Sequence, residues 1–204
     1  MDVNANLVRE LRDKTGAGVM DCKTALAETK GDLDQAVVWL REKGIAQAAK
    51  RSGRVASEGS VGSYIHAGGK LGVLVEVNCE SDFVAKTPEF QNLVKEIAMQ
   101  IAAANPRAVR REELPADVIA QERQIYASQA AGSGKPENVI NKIVDGKLEK
   151  FFADSVLYEQ AWVRDPNRPM KDVIGEYVGK LGEKIEVRRF LRFQLGENIQ
   201  NKAN

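Results

Sequence analysis

The feature that most narrows the fold of this chain is the alternation across residues 71 to 79. Leu71, Val73, Val75, Val77 and Cys79 share one face of the run Leu-Gly-Val-Leu-Val-Glu-Val-Asn-Cys. A period of two marks a half-buried strand, because successive side chains of an extended backbone point to opposite faces. That strand must lie on an apolar layer. It runs straight into a corner at Ser81-Asp82-Phe83-Val84, and the polar Asn78, Glu80, Ser81 and Asp82 are residues that end strands and build turns. Phe83 therefore falls on or just past a turn. Two readings follow: a core plug with Asp82 as its cap, or an aromatic wedge projecting from the rim of a sheet.

Composition limits what a wedge could serve. With 204 residues, 43% of them hydrophobic, the chain has material for one ordinary domain plus a small one, and a soluble globular protein is expected. Thirty Lys and Arg against 29 Asp and Glu leave a net charge of +1. Such a balance points to protein partners rather than to nucleic acid or membrane, and no direct nucleic-acid contact is expected. Cys22 and Cys79 are too few for a disulfide framework. The N-terminus lacks a signal-type apolar region and no apolar run approaches a membrane span, so the cytoplasm is the expected compartment.

The catalytic inventory is nearly empty. His66 is the single histidine, and neither cysteine belongs to a Cys-x-x-Cys pair. Zinc sites and His-paired nucleophiles thus lack their ligands and bases, and neither metal nor cofactor is expected. The Thr15-Gly16-Ala17-Gly18 stretch invites a phosphate-loop reading, but Lys23-Thr24 is not preceded by glycine and no strand comes before it. The carboxylates are scattered along helical faces without an apolar setting that would push two pKa values apart. An enzyme is not expected.

The pattern divides near residue 52. Residues 6–15, 19–30 and 33–43 read as three short helices, stopped by Gly16 and Gly18, Gly31 and Gly44, with Asp32 as an N-cap and Gln35 three positions on. Their apolar set is Leu7, Val8, Leu11, Val19, Met20, Ala25, Leu26, Ala36, Val37, Trp39 and Leu40, a core that is marginal alone. A docking module over 1–52 is expected, followed by a solvated linker over 53–59 whose neighbourhood carries Lys50, Arg51 and Arg54. From 60 to 204 the pattern is mixed. Val61–His66 and Leu71–Cys79 flank Ala67-Gly68-Gly69-Lys70 as a hairpin. Thr87 and Pro88 open a helix whose stripe Phe90, Leu93, Val94, Ile97, Ala98 and Ile101 must cover the strand face. Residues 116–131 and 137–152 read as a helical hairpin joined by Gly132-Ser133-Gly134-Lys135-Pro136. Residues 157–169 read as a loop, Met170–Leu181 as a helix, and Ile185, Val187, Arg189, Leu191, Phe193 and Leu195 alternate as a last strand. The expected class is α+β, a three-helix module followed by an antiparallel sheet with helices.

Three runs carry a family resemblance. They are Val8-Arg9-Glu10-Leu11-Arg12 through Thr15-Gly16-Ala17-Gly18-Val19-Met20-Asp21-Cys22-Lys23, the corner Asn78-Cys79-Glu80-Ser81-Asp82-Phe83-Val84-Ala85-Lys86, and Arg192-Phe193-Gln194-Leu195-Gly196-Glu197. In these runs, and in their order, the chain resembles bacterial elongation factor Ts. The resemblance implies a guanine-nucleotide exchange factor for elongation factor Tu that makes and breaks no covalent bonds, with a ubiquitin-associated-like N-terminal module. It places Asp82 and Phe83, with Ser81 and Val84 around them, near the partner's magnesium and phosphate site. Arg12, Val19, Met20 and Lys23 then grip the partner's nucleotide-binding domain. Ser81 stands where the family often has threonine, which keeps the hydroxyl.

Size is a departure. Longer members resemble two core copies in one chain, whereas this sequence has one hairpin and one corner, so a homodimer and a two-plus-two complex are expected to restore the missing half. In longer members the hairpin histidine lies in the other copy from the corner, which makes His66 a candidate second contact; the alternative is an edge-strand histidine beside a turn. Two rival functions stay open: capture of an unrelated protein by the helical module, or RNA guidance through Lys50, Arg51 and Arg54.

Overall fold

The computed structural model describes residues 4–132 and 136–197. Their elements are α1 (Ala5–Thr15), α2 (Val19–Glu28), α3 (Leu33–Arg51), β1 (Glu58–Ile65), β2 (Leu71–Cys79), α4 (Asp82–Ala85), α5 (Pro88–Ala104), α6 (Ala116–Ala131), α7 (Glu137–Ser155), β3 (Ala161–Trp162), β4 (Asp165–Pro169), α8 (Met170–Leu181) and β5 (Ile185–Gln194). The class is α+β as expected. One sheet has the order β1-β2-β5 and a second pairs β3 with β4. The chain forms two compact units, one of residues 1–62, 75–96 and 171–188 and one of residues 63–74, 97–170 and 189–204.

In the first unit, α1 to α3 close over Val8, Leu11, Cys22, Ala25, Leu26 and Ala36, with Leu7, Leu33, Val37, Trp39 and Leu40 packed around them. Asp32 caps α3 by accepting the Gln35 N–H at 3.0 Å, and Gln35 Nε2 donates back to Asp32 at 3.0 Å. The N-cap is the one the spacing predicts, but the return bond of a capping box is not made: Gln35 bonds the Asp32 carboxylate, and the Asp32 N–H donates to the Thr29 carbonyl at 3.1 Å. Two expectations need correction. Val19 and Met20 do not join the core, since both are exposed, Met20 at 70%. The third helix does not stop at Gly44 but runs on to Arg51. Gly44 is buried there. A Cβ on it would stand 3.1 Å from the Gly175 carbonyl oxygen of α8, and one on Gly179 would stand 2.8 Å from the Gly44 Cα. The glycines thus let two helix backbones approach closely, and that contact outweighs their poor helix propensity. Arg41 binds Asp172 at 3.0 Å, and Arg51 donates to the Val178 carbonyl at 3.1 Å.

The hairpin forms at the predicted turn, with Gly68 and Gly69 at φ of 89° and 68° and the His66 N–H donating to Leu71 O at 2.9 Å. Val73, Val75, Val77 and Cys79 are buried, as alternation requires. Gly62 leaves room for the α5 stripe, because a Cβ there would stand 2.2 Å from Val94 Cγ1 and 3.8 Å from Val75 Cγ1. β5 runs opposite to β2: the Lys184 N–H lies beside Glu80, and the Leu195 N–H donates to Lys70 O at 2.8 Å. Its alternation is not the single face that the sequence suggests. Ile185 and Val187 are buried, Arg188 and Arg189 are both exposed, and beyond them Leu191 and Phe193 face solvent while Arg192 reaches the Ala102 carbonyl.

In the second unit, α6 and α7 form the expected hairpin, antiparallel because Val118 and Ile119 near the start of α6 meet Phe151, Phe152 and Val156 near the end of α7. Arg111 fastens its base by binding Glu149 at 2.7 Å and Glu159, over the Phe152 ring. Residues 133–135 of the proposed joining turn lie outside the described residues. The expected loop of 157–169 is in part the β3–β4 ribbon. It is held by buried Gln100, which donates to the Ala161 carbonyl at 3.1 Å and accepts the Val163 N–H at 2.9 Å.

Candidate functional site

The corner after β2 is built by Ser81. Its backbone is extended, with φ −130° and ψ 153°, and its hydroxyl accepts the Val84 N–H at 3.3 Å, which starts the single turn of α4. Cys79 Sγ donates to the Ser81 carbonyl at 3.1 Å from below. On the far side the Thr87 hydroxyl donates to Val84 O at 2.8 Å and accepts the Phe90 N–H at 3.2 Å, so that Thr87 caps α5 as predicted. Gln91 Nε2 donates to the Ala85 carbonyl at 2.7 Å. A short helical turn stitched at both ends cannot roll its side chains inward.

Phe83 is consequently 80% exposed, while its neighbour Ala85 is buried and Val84 is half-buried. The projecting reading holds and the core-plug reading does not. Asp82 does not cap the strand end; it pairs one turn along with Lys86 at 2.6 Å. The hydrogen bond from Lys86 holds the Asp82 carboxyl below the usual carboxylate range and raises the lysine in turn. Burial, followed by the charge of Glu183, pushes the Cys79 thiol up to about 11.

Sequence reasoning missed the second half of this corner. Glu183, in the turn between α8 and β5, accepts the Glu80 and Ser81 N–H groups at 3.0 Å each and the Ser81 hydroxyl at 2.5 Å. Glu80 answers across the same junction, accepting the Lys184 N–H at 2.6 Å and pairing with Arg54 at 3.3 Å. The Lys184 N–H is the main reason that the Glu80 carboxyl is lowered. Nothing in the local pattern of Gly182-Glu183-Lys184 marks a partner a hundred residues away.

The other candidates are placed as follows. Arg12, Val19, Met20 and Lys23 are all exposed and flank the Gly16–Gly18 turn between α1 and α2. Gly16 takes a left-handed φ of 65° there, and the Lys180 side chain of α8 occupies the space a Cβ would need. These four residues and the corner belong to the first unit, and α8 serves both: its body packs on α3, and the turn that follows it holds Ser81. His66 belongs to the second unit, exposed, with the Tyr64 hydroxyl 3.0 Å from its Nδ1. Among the described residues no cluster of three or more His, Cys, Asp or Glu side chains is placed to hold a metal. No helix among them is long and apolar enough to cross a membrane. Arg51 and Arg54 of the expected basic linker are engaged within the chain.

A family model for elongation factor TS matches residues 23–197, which include the corner, the Glu183 turn and β5. The chain belongs to the elongation factor Ts family. Elongation factor Ts of Thermoanaerobacter sp. (strain X514) is 55% identical over 202 residues, covering 99% of both chains. That of Anaeromyxobacter sp. (strain K) is 59% identical over 201 residues, covering 98% of this chain and 92% of its own. The Geobacter sulfurreducens protein is 56% identical over 204 residues, covering 100% and 94%. The chain covers 92% or more of each of these relatives, so they are of similar length.

Proposed function

We propose that the chain is a guanine-nucleotide exchange factor that binds elongation factor Tu in its GDP form and speeds GDP release, making and breaking no covalent bonds. The observation that carries this reading is Phe83, 80% exposed on a corner whose backbone is hydrogen-bonded on both sides. An aromatic held outward is ready to enter a partner's pocket, where a buried aromatic anchor is worth about 2 kcal/mol or more. If that pocket is shaped only in the nucleotide-free partner, factor and GDP weaken each other by the same ratio, and a coupling of about 1–3 kcal/mol gives roughly 5–150-fold weaker nucleotide binding. Asp82, at the start of α4, is the group that would disturb the partner's magnesium and phosphate site. The module supplies affinity through Met20, Val19, Arg12 and Lys23, and the working compartment is the cytoplasm, where translation factors act.

A second copy of the chain is also a proposed partner. The apolar face of Leu71–Cys79 is buried within the chain and cannot serve as the dimer face. The opposite face is free: Ile65, Leu74, Leu191, Phe193 and Leu195 are exposed, and Ile65, Leu74, Phe193 and Leu195 line a groove of 490 Å³. An isologous contact there would yield a two-plus-two complex, with His66 beside the seam as a second contact. RNA guidance is disfavoured by the internal bonds of Arg51 and Arg54.

The test is release of a fluorescent GDP from purified elongation factor Tu on mixing with the chain. Catalytic amounts should accelerate release, and the effect should survive raised salt. Release unchanged at saturating chain, or binding that collapses with salt without affecting release, would replace exchange with protein capture or RNA binding.

A further inference from the structure

The corner that presents Phe83 is held less by its own sequence neighbours than by one distant carboxylate. Glu183 Oε2 accepts two consecutive backbone N–H groups, Glu80 and Ser81, and Oε1 accepts the Ser81 hydroxyl. The same hydroxyl oxygen accepts the Val84 N–H that begins α4. Ser81 O takes the Ala85 N–H at 3.2 Å and the Cys79 thiol at 3.1 Å. Every polar atom of Ser81 is thereby engaged, and two of them depend on Glu183. The return bond from Glu80 to the Lys184 N–H closes a clasp between the corner and the α8–β5 turn.

Resting on the exchange reading above, we propose that Glu183 is a positioning residue for nucleotide exchange: it locks the Glu80–Ser81 peptide so that α4 offers Phe83 in one orientation. It touches neither partner nor nucleotide in this role. Charged acceptors of backbone N–H groups make the stronger class of hydrogen bond, and three on one carboxylate fix direction as well as distance. Without that acceptor the Ser81 hydroxyl is free to rotate away from Val84, and the turn that carries Phe83 loses its cap. Phe83 then samples several directions, and in only a fraction of the complexes gripped through the α1–α2 turn does it enter the partner's pocket.

The role separates from mere structural support in two measurements on the full chain. The first is stopped-flow GDP release from elongation factor Tu over a range of factor concentrations, for wild type, Glu183→Ala, Glu183→Gln, Phe83→Ala and the Glu183→Ala/Phe83→Ala pair. Glu183→Ala should lower the saturating rate by about 5–30-fold, the range of one to two kcal/mol, while the half-saturating concentration stays within about twofold. Glu183→Gln, which keeps an acceptor for the two N–H groups, should fall between. In the Phe83→Ala background Glu183→Ala should add nothing, because both changes remove the same presented ring. Multiplicative losses, or an unchanged saturating rate for Glu183→Ala, would overturn the proposal. The second measurement is amide hydrogen exchange in free Glu183→Ala, where Glu80, Ser81 and Val84 should lose protection while the amides of β2 and α5 keep theirs. Unchanged protection also overturns it. Should Phe83→Ala release GDP at the wild-type rate, the exchange reading itself fails, and the amide result still decides whether Glu183 fixes the corner.

Discussion

A phenylalanine in water keeps exposed an apolar area worth about 25 cal/mol per Å² on burial, so its projection must be enforced by its surroundings. Around Phe83 the enforcing groups are polar: the Ser81 cap, the Thr87 hydroxyl and the Glu183 carboxylate. Alternation could not decide between plug and wedge, because the turn falls outside the period of the strand and its geometry is set by a carboxylate 102 residues away. Ser81 itself should tolerate threonine, which preserves the hydroxyl, and not alanine. Beneath the corner, Cys79 offers a prediction in pH. Its thiol is raised from the usual value of 9.0 to about 11, so the native state favours the protonated form. That contribution is fully present below pH 9 and is lost as pH rises through about 11. Urea melts at pH 8 and pH 10.5 should therefore show a smaller alkaline loss for Cys79→Ala than for the wild type; equal losses would contradict the assignment. The thiol should also resist alkylation in the folded protein, since it is both buried and protonated.

Elements were legible where packing and local pattern agree. β2, α6 and α8 fall on their predicted bounds because one face of each meets the core and the period shows it. They were illegible where a residue serves a distant surface. Gly44 reads locally as a stop, yet it lies mid-helix because α8 approaches too closely for any side chain. Pro166 and Pro169 read as loop, yet the β3–β4 ribbon forms beside Gln100, whose amide no periodic pattern reveals. A pair of glycine variants tests this distinction. Gly179→Ala puts a methyl 2.8 Å from the Gly44 Cα and should destabilise by about 1–3 kcal/mol, since two backbones must part. Gly146→Ala, within α7 with nothing inside 4 Å of the added carbon, should stabilise by about 0.5–1 kcal/mol through lower chain entropy. Thermal unfolding of both variants checks the signs, and a neutral Gly179→Ala would mean that the α3–α8 contact is looser than described.

For the molecule as a whole, the proposed function assigns two surfaces to partners: the corner with the α1–α2 turn, and the outer face of the sheet. The second surface should join two copies. Phe193→Asp, at a site 65% exposed, should leave the monomer fold intact within about 0.5 kcal/mol but shift the free protein from dimer to monomer in light scattering. A wild type that is monomeric at micromolar concentration and forms a fully active one-to-one complex removes the dimer from the account. The family of the chain was legible from its three motifs, whereas the clasp between Glu183 and Ser81 needed the fold, because sequence distance hides it. Everything functional in this account converges on Phe83, and the decisive measurement is the rate of fluorescent GDP release from elongation factor Tu at saturating factor, wild type against Phe83→Ala. Loss of about 2 kcal/mol of anchoring in the nucleotide-free complex predicts a roughly 30-fold slower saturating rate, with thermal stability of the free variant unchanged. A Phe83→Ala protein that releases GDP as fast as the wild type would contradict the account.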